Sequence, residues 1–304
     1  GMKQWDMEKV NAVQRMQDYI MEHVESEDFT FEEMYSCAGY SKRHGDRIFK
    51  ELIGKTPKEY VRAIRLSESS LELLNSSRRI LDIALNSSYQ THEGYVKAFW
   101  EAFHVTPSSY RSSPDPIPLF VQYPIRNYFT LINHKEDRNM CKEMKLCMIT
   151  AVSRPKRKLI LMRSAAAVDY FSFCQEAGCD WEGLFNSIPE KYDLAAIAEL
   201  PASLVKEGTS NVAAGVEVPF DYAGAIPDGC DVVELEPCEM LYFQSEPYEN
   251  DEDFCVAIDS VQYAIEKYNA KAFGYRLDST LAPKFNYGAN TVMGAKKAVP
   301  VCRI

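Results

Sequence analysis

A chain of 304 residues, nearly half of them apolar, can bury two separate cores, and its formal net charge of −10 excludes binding to polyanions through overall charge. No apolar run approaches the 18 or so residues a membrane helix needs. Nine cysteines, none spaced as CxxC and none set with histidine at zinc spacing, argue against a disulfide framework and a metal centre. The expectation is a cytoplasmic protein with reduced thiols, no membrane partner, no cofactor and no metal.

In chain order, the first strong signal is Thr30 with Glu33 three residues on, a capping box for a short helix through Met34 and Cys37. Gly39 follows, suited to a turn that needs a positive φ. Ser41 then caps a second helix whose Ile48, Phe49, Leu52 and Ile53 fall on one apolar face. Its outer face carries Lys42, Arg43, His44, Arg47 and Lys50, so the segment reads as helix, turn, helix with a basic second helix of the kind that enters a DNA groove.

Thr56 and Glu59 form another capping box, with Pro57 in the first turn, and start a long helix in which Val61, Ile64, Leu71 and Leu74 are the expected inner stripe. Such a stiff connector spans about 27 Å at 1.5 Å per residue.

The first pattern then returns. Tyr40 to Arg62 and Tyr89 to Arg111 match about 50 residues apart, with Phe49/Phe99, Thr56/Thr106, Pro57/Pro107 and Tyr60/Tyr110 in equivalent places. Ile80, Ile83 and Ala84 make the short apolar face, Asn86 to Ser88 the turn, and a helix from about Thr91 to Phe103 buries Tyr95, Phe99 and Phe103. Thr91, His92, Glu93 and Lys97 are its candidate DNA-facing positions, with Glu101 also outward. From Tyr40 to Arg111 there are 12 Lys plus Arg against 8 Asp plus Glu, a local net of +4 within an acidic chain. Affinity for double-stranded DNA is therefore expected to be local in origin and strongly salt dependent.

Residues 10–111 resemble the DNA-binding domain of the AraC/XylS family of transcription regulators. The resemblance rests on Ala38-Gly39-Tyr40-Ser41, Arg47-Ile48-Phe49-Lys50, Ile80-Leu81-Asp82-Ile83-Ala84, and Phe99 with Thr106-Pro107-Ser108-Ser109-Tyr110-Arg111. It implies two helix-turn-helix modules on one connector, reading successive major grooves. The chain departs from the pattern at Ser87-Ser88-Tyr89, where the family usually has Gly-Phe, and at Asp46 and Glu93, outward positions often held by amides.

Three prolines within Pro114-Asp115-Pro116-Ile117-Pro118 cannot continue a helix and mark a boundary. A linker and hinge segment is expected over 113–143, between a DNA-binding domain over 1–112 and a second domain over 144–304. Within the linker, 119–133 reads equally as a strand or as packing against the first domain, and 134–145 as a charged arm.

Beyond Met144 the texture turns to short strands. Leu146 to Val152, Leu159 to Met162, Val212 to Val218, Asp231 to Leu235 and Glu239 to Gln244 read as strands. Val168 to Gly178, Trp181 to Ser187 and Asp253 to Tyr268 read as helices, the last with Phe254, Ile258, Val261 and Ile265 inward. Strands and helices in two rounds indicate an α+β domain, so the whole chain is multidomain, an all-α double helix-turn-helix domain followed by α+β.

This second part resembles the GyrI-like effector-binding domain, through Ala214 to Val218, Ile226 to Gly229, Glu239 to Phe243, Pro283 to Tyr287 and Ala298 to Val301. The resemblance implies a small-molecule pocket lined by aromatics, for which Trp181, Tyr222, Tyr242, Phe243, Tyr275, Phe285 and Tyr287 are candidates. Family members that bind cationic drugs place a glutamate near the position of Lys296; Glu217 is the candidate replacement, or else the ligand is neutral or anionic.

Together these readings describe a ligand-responsive bacterial transcription regulator with DNA, a small-molecule effector and RNA polymerase as partners, and no catalytic residues. The sign of regulation is left open. The alternatives are a GyrI-like hydrolase, using Glu217 with Tyr242 or Tyr287 as base and acid, or a protein-sequestering module, fused to a DNA-binding domain.

Overall fold

The computed structural model describes residues 4–134 and 144–304. The chain forms two compact units: residues 1–114 with 120–139, and residues 115–119 with 140–304.

Unit 1 is helical. Helix α1 (Gln4–His23) supports α2 (Phe31–Ala38) and α3 (Lys42–Ile53) around a core of Val13, Met16, Ile20, Met34, Ile48 and Phe49. The local chemistry sets each boundary. Thr30 accepts from the Glu33 amide at 3.2 Å, Gly39 takes φ +70° to end α2, Ser41 accepts from the His44 amide, and Gly54 ends α3 at φ +88°. The reciprocal half of the expected box at Thr30 is absent. The Thr30 amide donates instead to the Tyr19 hydroxyl at 3.2 Å, which itself faces Glu33 at 3.5 Å, so a tyrosine of α1 stands between the two capping residues.

The connector is α4 (Pro57–Asn75), started by Thr56, which accepts from the Glu59 amide. Val61 and Ile64 are buried as expected, but Leu71 is 46% exposed. The second half of α4 buries Leu66, Ser69, Ser70 and Leu73 instead. The reason is that α4 serves two cores: its first half closes on α3 and its second on α5 (Ile80–Asn86), α6 (His92–Phe103) and α7 (Pro107–Ser112), so the buried stripe changes face midway. Small serines on the second face admit large aromatics, and the Tyr95 hydroxyl donates to Ser69 Oγ at 2.9 Å.

Residues 113–143 were expected as linker and hinge. Asp115–Leu119 belongs to unit 2, and the chain then returns to unit 1 as α8 (Ile125–His134). Two buried glutamines of α1 receive the start of that helix: Gln17 Oε1 accepts from the Ile125 amide at 2.8 Å and Gln14 Oε1 from the Arg126 amide at 3.0 Å. Of the segment read as a strand or as packing on the first domain, the second alternative holds. Residues 135–143 of the expected arm lie outside the described residues.

Unit 2 is α+β. Its strands are β1 (Cys147–Arg154), β2 (Arg157–Arg163), β3 (Ala196–Glu199), β4 (Val212–Pro219), β5 (Asp231–Leu235), β6 (Cys238–Ser245), β7 (Tyr275–Leu277), β8 (Lys284–Asn290) and β9 (Gly294–Arg303). They form one sheet in the order β1-β6-β9-β8-β3-β4-β2-β5, with β7 on β9, and every ladder is antiparallel. Helices α9 (Tyr170–Ala177) and α10 (Trp181–Asn186) cover one half of the sheet through Phe173, Trp181 and Phe185 on Ile160, Ala214 and Val216. Helix α11 (Phe254–Lys267) covers the other through Ala257 and Val261 on Leu241, Phe243 and Val299. Period-2 alternation sends Leu159, Leu161, Tyr242, Phe285 and Tyr287 to a separate cluster.

A nucleic-acid interface and a candidate effector site

In the first module, Lys42, Arg43, Arg47 and Lys50 are exposed along α3. His44 is half-buried, edge-on to Tyr40 at 4.4 Å, and its Nδ1 lies 2.9 Å from Arg47 Nη2, so the imidazole steadies a guanidinium at the solvent face. Asp46 does not face outward. It accepts the phenolic hydrogen of Tyr35 on α2, and burial, reinforced by that carboxylate, raises the Tyr35 pKa. This acidic residue, expected to point outward, is therefore part of the packing between α2 and α3, beside Gly45.

In the second module, Thr91 is the N-cap of α6, its hydroxyl accepting from the Gly94 amide at 3.0 Å, which defines it as a structural residue at the rim. His92, Glu93 and Lys97 are exposed on the same helix. Between them the chain sets Val96 and Trp100, the latter 52% exposed, in a shallow depression that also includes Thr106. Sequence reasoning missed this pair. The signal was available in the spacing, since Val96 and Trp100 fall at i and i+4 beside the stripe of Tyr95, Phe99 and Phe103, toward Lys97.

Two capped helices, α3 with four exposed cations and α6 with His92 and Lys97 outward beside Glu93 and Glu101, joined by one helical connector, are the arrangement of a double helix-turn-helix DNA-binding domain. A family profile described as a helix-turn-helix domain matches residues 35–113. The Right origin-binding protein of Escherichia coli (strain K12) is 32% identical over 130 residues, 42% of this chain and 45% of its own length. Regulatory protein SoxS of Salmonella typhimurium is 30% identical over 105 residues, 34% of this chain and 97% of its own length. The chain belongs to the AraC/XylS family of transcription regulators. It spans less than half the length of Right origin-binding protein.

Among solved structures, the C-terminal domain of AraT, a response regulator from Geobacillus stearothermophilus, aligns with 33% of this chain and 84% of its own at 28% identity and a TM-score of 0.31. SAV2435 bound to tetraphenylphosphonium aligns with 51% of this chain and 94% of its own at 13% identity and a TM-score of 0.33. Neither likeness bears on what this chain binds.

The candidate pocket residues of unit 2 do not converge. Tyr242, Phe285 and Tyr287 share one cluster, with the Tyr242 and Tyr287 hydroxyls 3.4 Å apart. Trp181, on α10, and Tyr222 belong to the cluster between α9, α10 and the sheet, and Phe243 and Tyr275 to the one beneath α11. Glu217 is buried, but its Oε2 is engaged by the Arg157 guanidinium, itself fully buried and donating to the carbonyls of Pro155 and Glu236 at 3.2 Å. Such a carboxylate already has its cation.

Lys296 is paired with Asp193 at 2.8 Å and lies 4.5 Å from the Tyr287 ring centre. Arg154 donates to the Tyr242 hydroxyl at 2.9 Å. Burial, with nearby Glu217 and Asp193, keeps the Tyr287 phenol protonated well beyond its ordinary range.

A cleft of about 330 Å³ lies elsewhere in this unit, over β3, β8 and β9 between α9 and α11. Its walls include Tyr170, Ile197, Ile265 and Val299, with Glu199, Asn286 and Lys297 as polar groups. Of the expected ligand residues, Phe285 alone borders it. Lys297 Nζ donates to Gln262 Oε1 at 2.9 Å, and burial lowers its pKa. Apart from Phe285, these cleft residues escaped sequence reasoning because they come from α9, β3, α11, β8 and β9, which only the tertiary fold assembles.

Proposed function

We propose that the chain is a ligand-responsive regulator whose α3 and α6 enter successive major grooves on one face of a DNA duplex. The observation that supports this best is the repetition of one device, a capped second helix after a tight turn, on either side of the 19-residue α4, with Lys42, Arg43, Arg47 and Lys50 outward on α3 and His92, Lys97 and Trp100 outward on α6. At about 1.5 Å per residue the connector is close to the roughly 34 Å of one DNA turn. Arg47 and Lys97 are the proposed base or phosphate contacts, with Lys42, Arg43, Lys50 and His92 flanking them. Val96 and Trp100 supply apolar surface suited to thymine methyl groups.

The domain over 144–304 is proposed as the effector-binding part, GyrI-like in kind, with its site in the cleft between α9 and α11. The volume suits a small molecule, and apolar walls with a few polar groups are the usual composition of such sites. Because Glu217 is neutralised internally and Lys297 borders the cleft, the effector in this reading is neutral or anionic rather than a lipophilic cation. It acts by binding two states of the regulator with different affinity, altering DNA or RNA polymerase contact in the cytoplasm.

The hydrolase alternative is not favoured, since its proposed base, Glu217, is held by Arg157. The test is thermal-shift screening of the full chain against small organic anions and lipophilic cations, with Lys297→Met as control. Stabilisation by an anion that is lost in the variant supports the reading, and stabilisation by cations alone overturns it.

A further inference from the structure

The two reading helices repeat one design with a charge reversed. Helices α3 and α6 each have 12 residues, and each is capped by a hydroxyl, Ser41 or Thr91, that accepts from the amide three positions on. Counted from those caps, the second residue is Arg43 in α3 and Glu93 in α6. Both side chains are exposed, and among the described residues neither has an ion pair or a side-chain hydrogen bond.

Folding does not call for the carboxylate. An acidic residue in the first turn suits the helix dipole, yet α3 forms at the same length with none there. At a DNA surface the same charge is a cost, because phosphates repel it. A recognition helix presents its N-terminal residues to base edges, so the group able to offset that cost is a base donor. An ionised carboxylate only accepts hydrogen bonds. In the major groove guanine and thymine offer it acceptors, and adenine sets an acceptor, N7, beside its amino group. Cytosine offers the N4 amino group alone.

The neighbours of Glu93 favour such a contact. Val96, Lys97 and Trp100 follow it by three, four and seven positions, and with His92 and Thr106 they line one shallow depression. Val96 and the Trp100 ring give that surface an apolar part, which excludes water from a hydrogen bond made beside it. In α3 the places of Val96 and Trp100 are taken by Asp46, turned into the packing against Tyr35, and by Lys50. Electrostatic attraction to phosphates is therefore concentrated on α3, and the means to discriminate bases by donor and shape on α6.

We propose that Glu93 is a specificity-determining residue that selects a cytosine in the block read by α6, while Arg43, at the equivalent place in α3, selects a guanine through its O6 and N7. This inference rests on the placement of α3 and α6 in successive major grooves. It adds the cause of the asymmetry between the two blocks: one duplicated position carries opposite charges and so calls for opposite partners of a base pair.

The experiment selects sites from a random duplex pool with the full wild-type chain, Glu93→Gln and Glu93→Arg, then measures the affinity of each for the wild-type site and for the three substitutions of the cytosine pair. Wild type should require cytosine at one position of the second block and lose about tenfold or more with any other pair there. Glu93→Gln should move that preference to adenine, whose N6 and N7 an amide engages, and Glu93→Arg should move it to guanine, with the first block unchanged in both. A carboxylate that only repels phosphates gives another result: Glu93→Gln then binds every sequence more tightly with unchanged preferences, which overturns the proposal. Two blocks whose base preferences neither variant alters overturn it and leave the bipartite reader standing. A pool that yields no second block overturns both.

Discussion

The Tyr35 ring of α2 lies against Gly45 of α3 so closely that a Cβ at Gly45 would stand 2.5 Å from Tyr35 Cδ1. In the second module the equivalent positions are Ala84 and Tyr95, both fully buried. The aromatic residue comes from the first helix in one copy and from the second helix in the other, so large and small have exchanged places while both modules keep a dense core.

Gly45→Ala is therefore expected to destabilise unit 1, although alanine favours a helix over glycine by about 1 kcal/mol. Overpacking of this kind costs about 1–3 kcal/mol, and the ring cannot retreat without losing its bond to Asp46. Urea unfolding should show a lower midpoint, whereas Tyr95→Gly in the second module should act by opening a cavity.

Ser88 and His104 take φ of +70° and +57°, the only non-glycine residues among those described with positive φ. Their counterparts in the first copy are Gly39 and Gly54, which adopt the same region freely. Ser88→Gly should raise stability by about 1 kcal/mol, since a left-handed residue with a side chain costs about 1–2 kcal/mol. A thermal melt of the variant, read beside wild type, measures this, and unchanged DNA affinity would confirm that the turn only positions α6.

Arg157 and Glu217 form a buried ion pair in unit 2. Arg157→Met alone leaves a carboxylate without its cation and should cost about 3–5 kcal/mol. Combining it with Glu217→Leu should recover most of the loss, because two apolar side chains need no partner. A double-mutant cycle by chemical denaturation separates the terms.

Glu68 on α4 has its pKa pushed up to about 7, first by burial and then by the nearby Glu25 carboxylate. A carboxyl that holds its proton more tightly when folded contributes stability that is present below its unfolded pKa of about 4.5 and lost as pH rises through 7. Stability of the wild-type chain should fall across that window by an amount reduced by solvent screening, and Glu68→Gln should flatten the fall.

These cases also mark what the residues disclosed unaided. Thr30, Ser41, Thr56 and Thr91 each accept from an amide three positions on, and Gly39 takes the positive φ of its turn, so local chemistry located both modules. Leu71 was assigned to the buried stripe because one helical period was carried through α4, whereas that helix changes partner near its middle and buries Leu73. Asp46 read as outward because its acceptor role depends on Tyr35, 11 residues earlier. In unit 2 the strands β1, β2, β4, β5 and β6 were legible in the residues, but the short β3, with two alanines, and β7 and β8 were not, and β9 was touched only by the resemblance at Ala298 to Val301. The aromatic residues there divide among three clusters according to strand register, which no single segment encodes.

The most direct test of the bipartite reader is selection of the full chain against a random duplex pool, with Arg47→Ala and Lys97→Ala run alongside at two salt concentrations. The expected result is an asymmetric site of two short blocks about one helical turn apart, with each variant losing information from a different block and affinity falling as salt rises. A single block, a palindrome, or a site that both variants read as wild type does would contradict the placement of α3 and α6 in successive grooves.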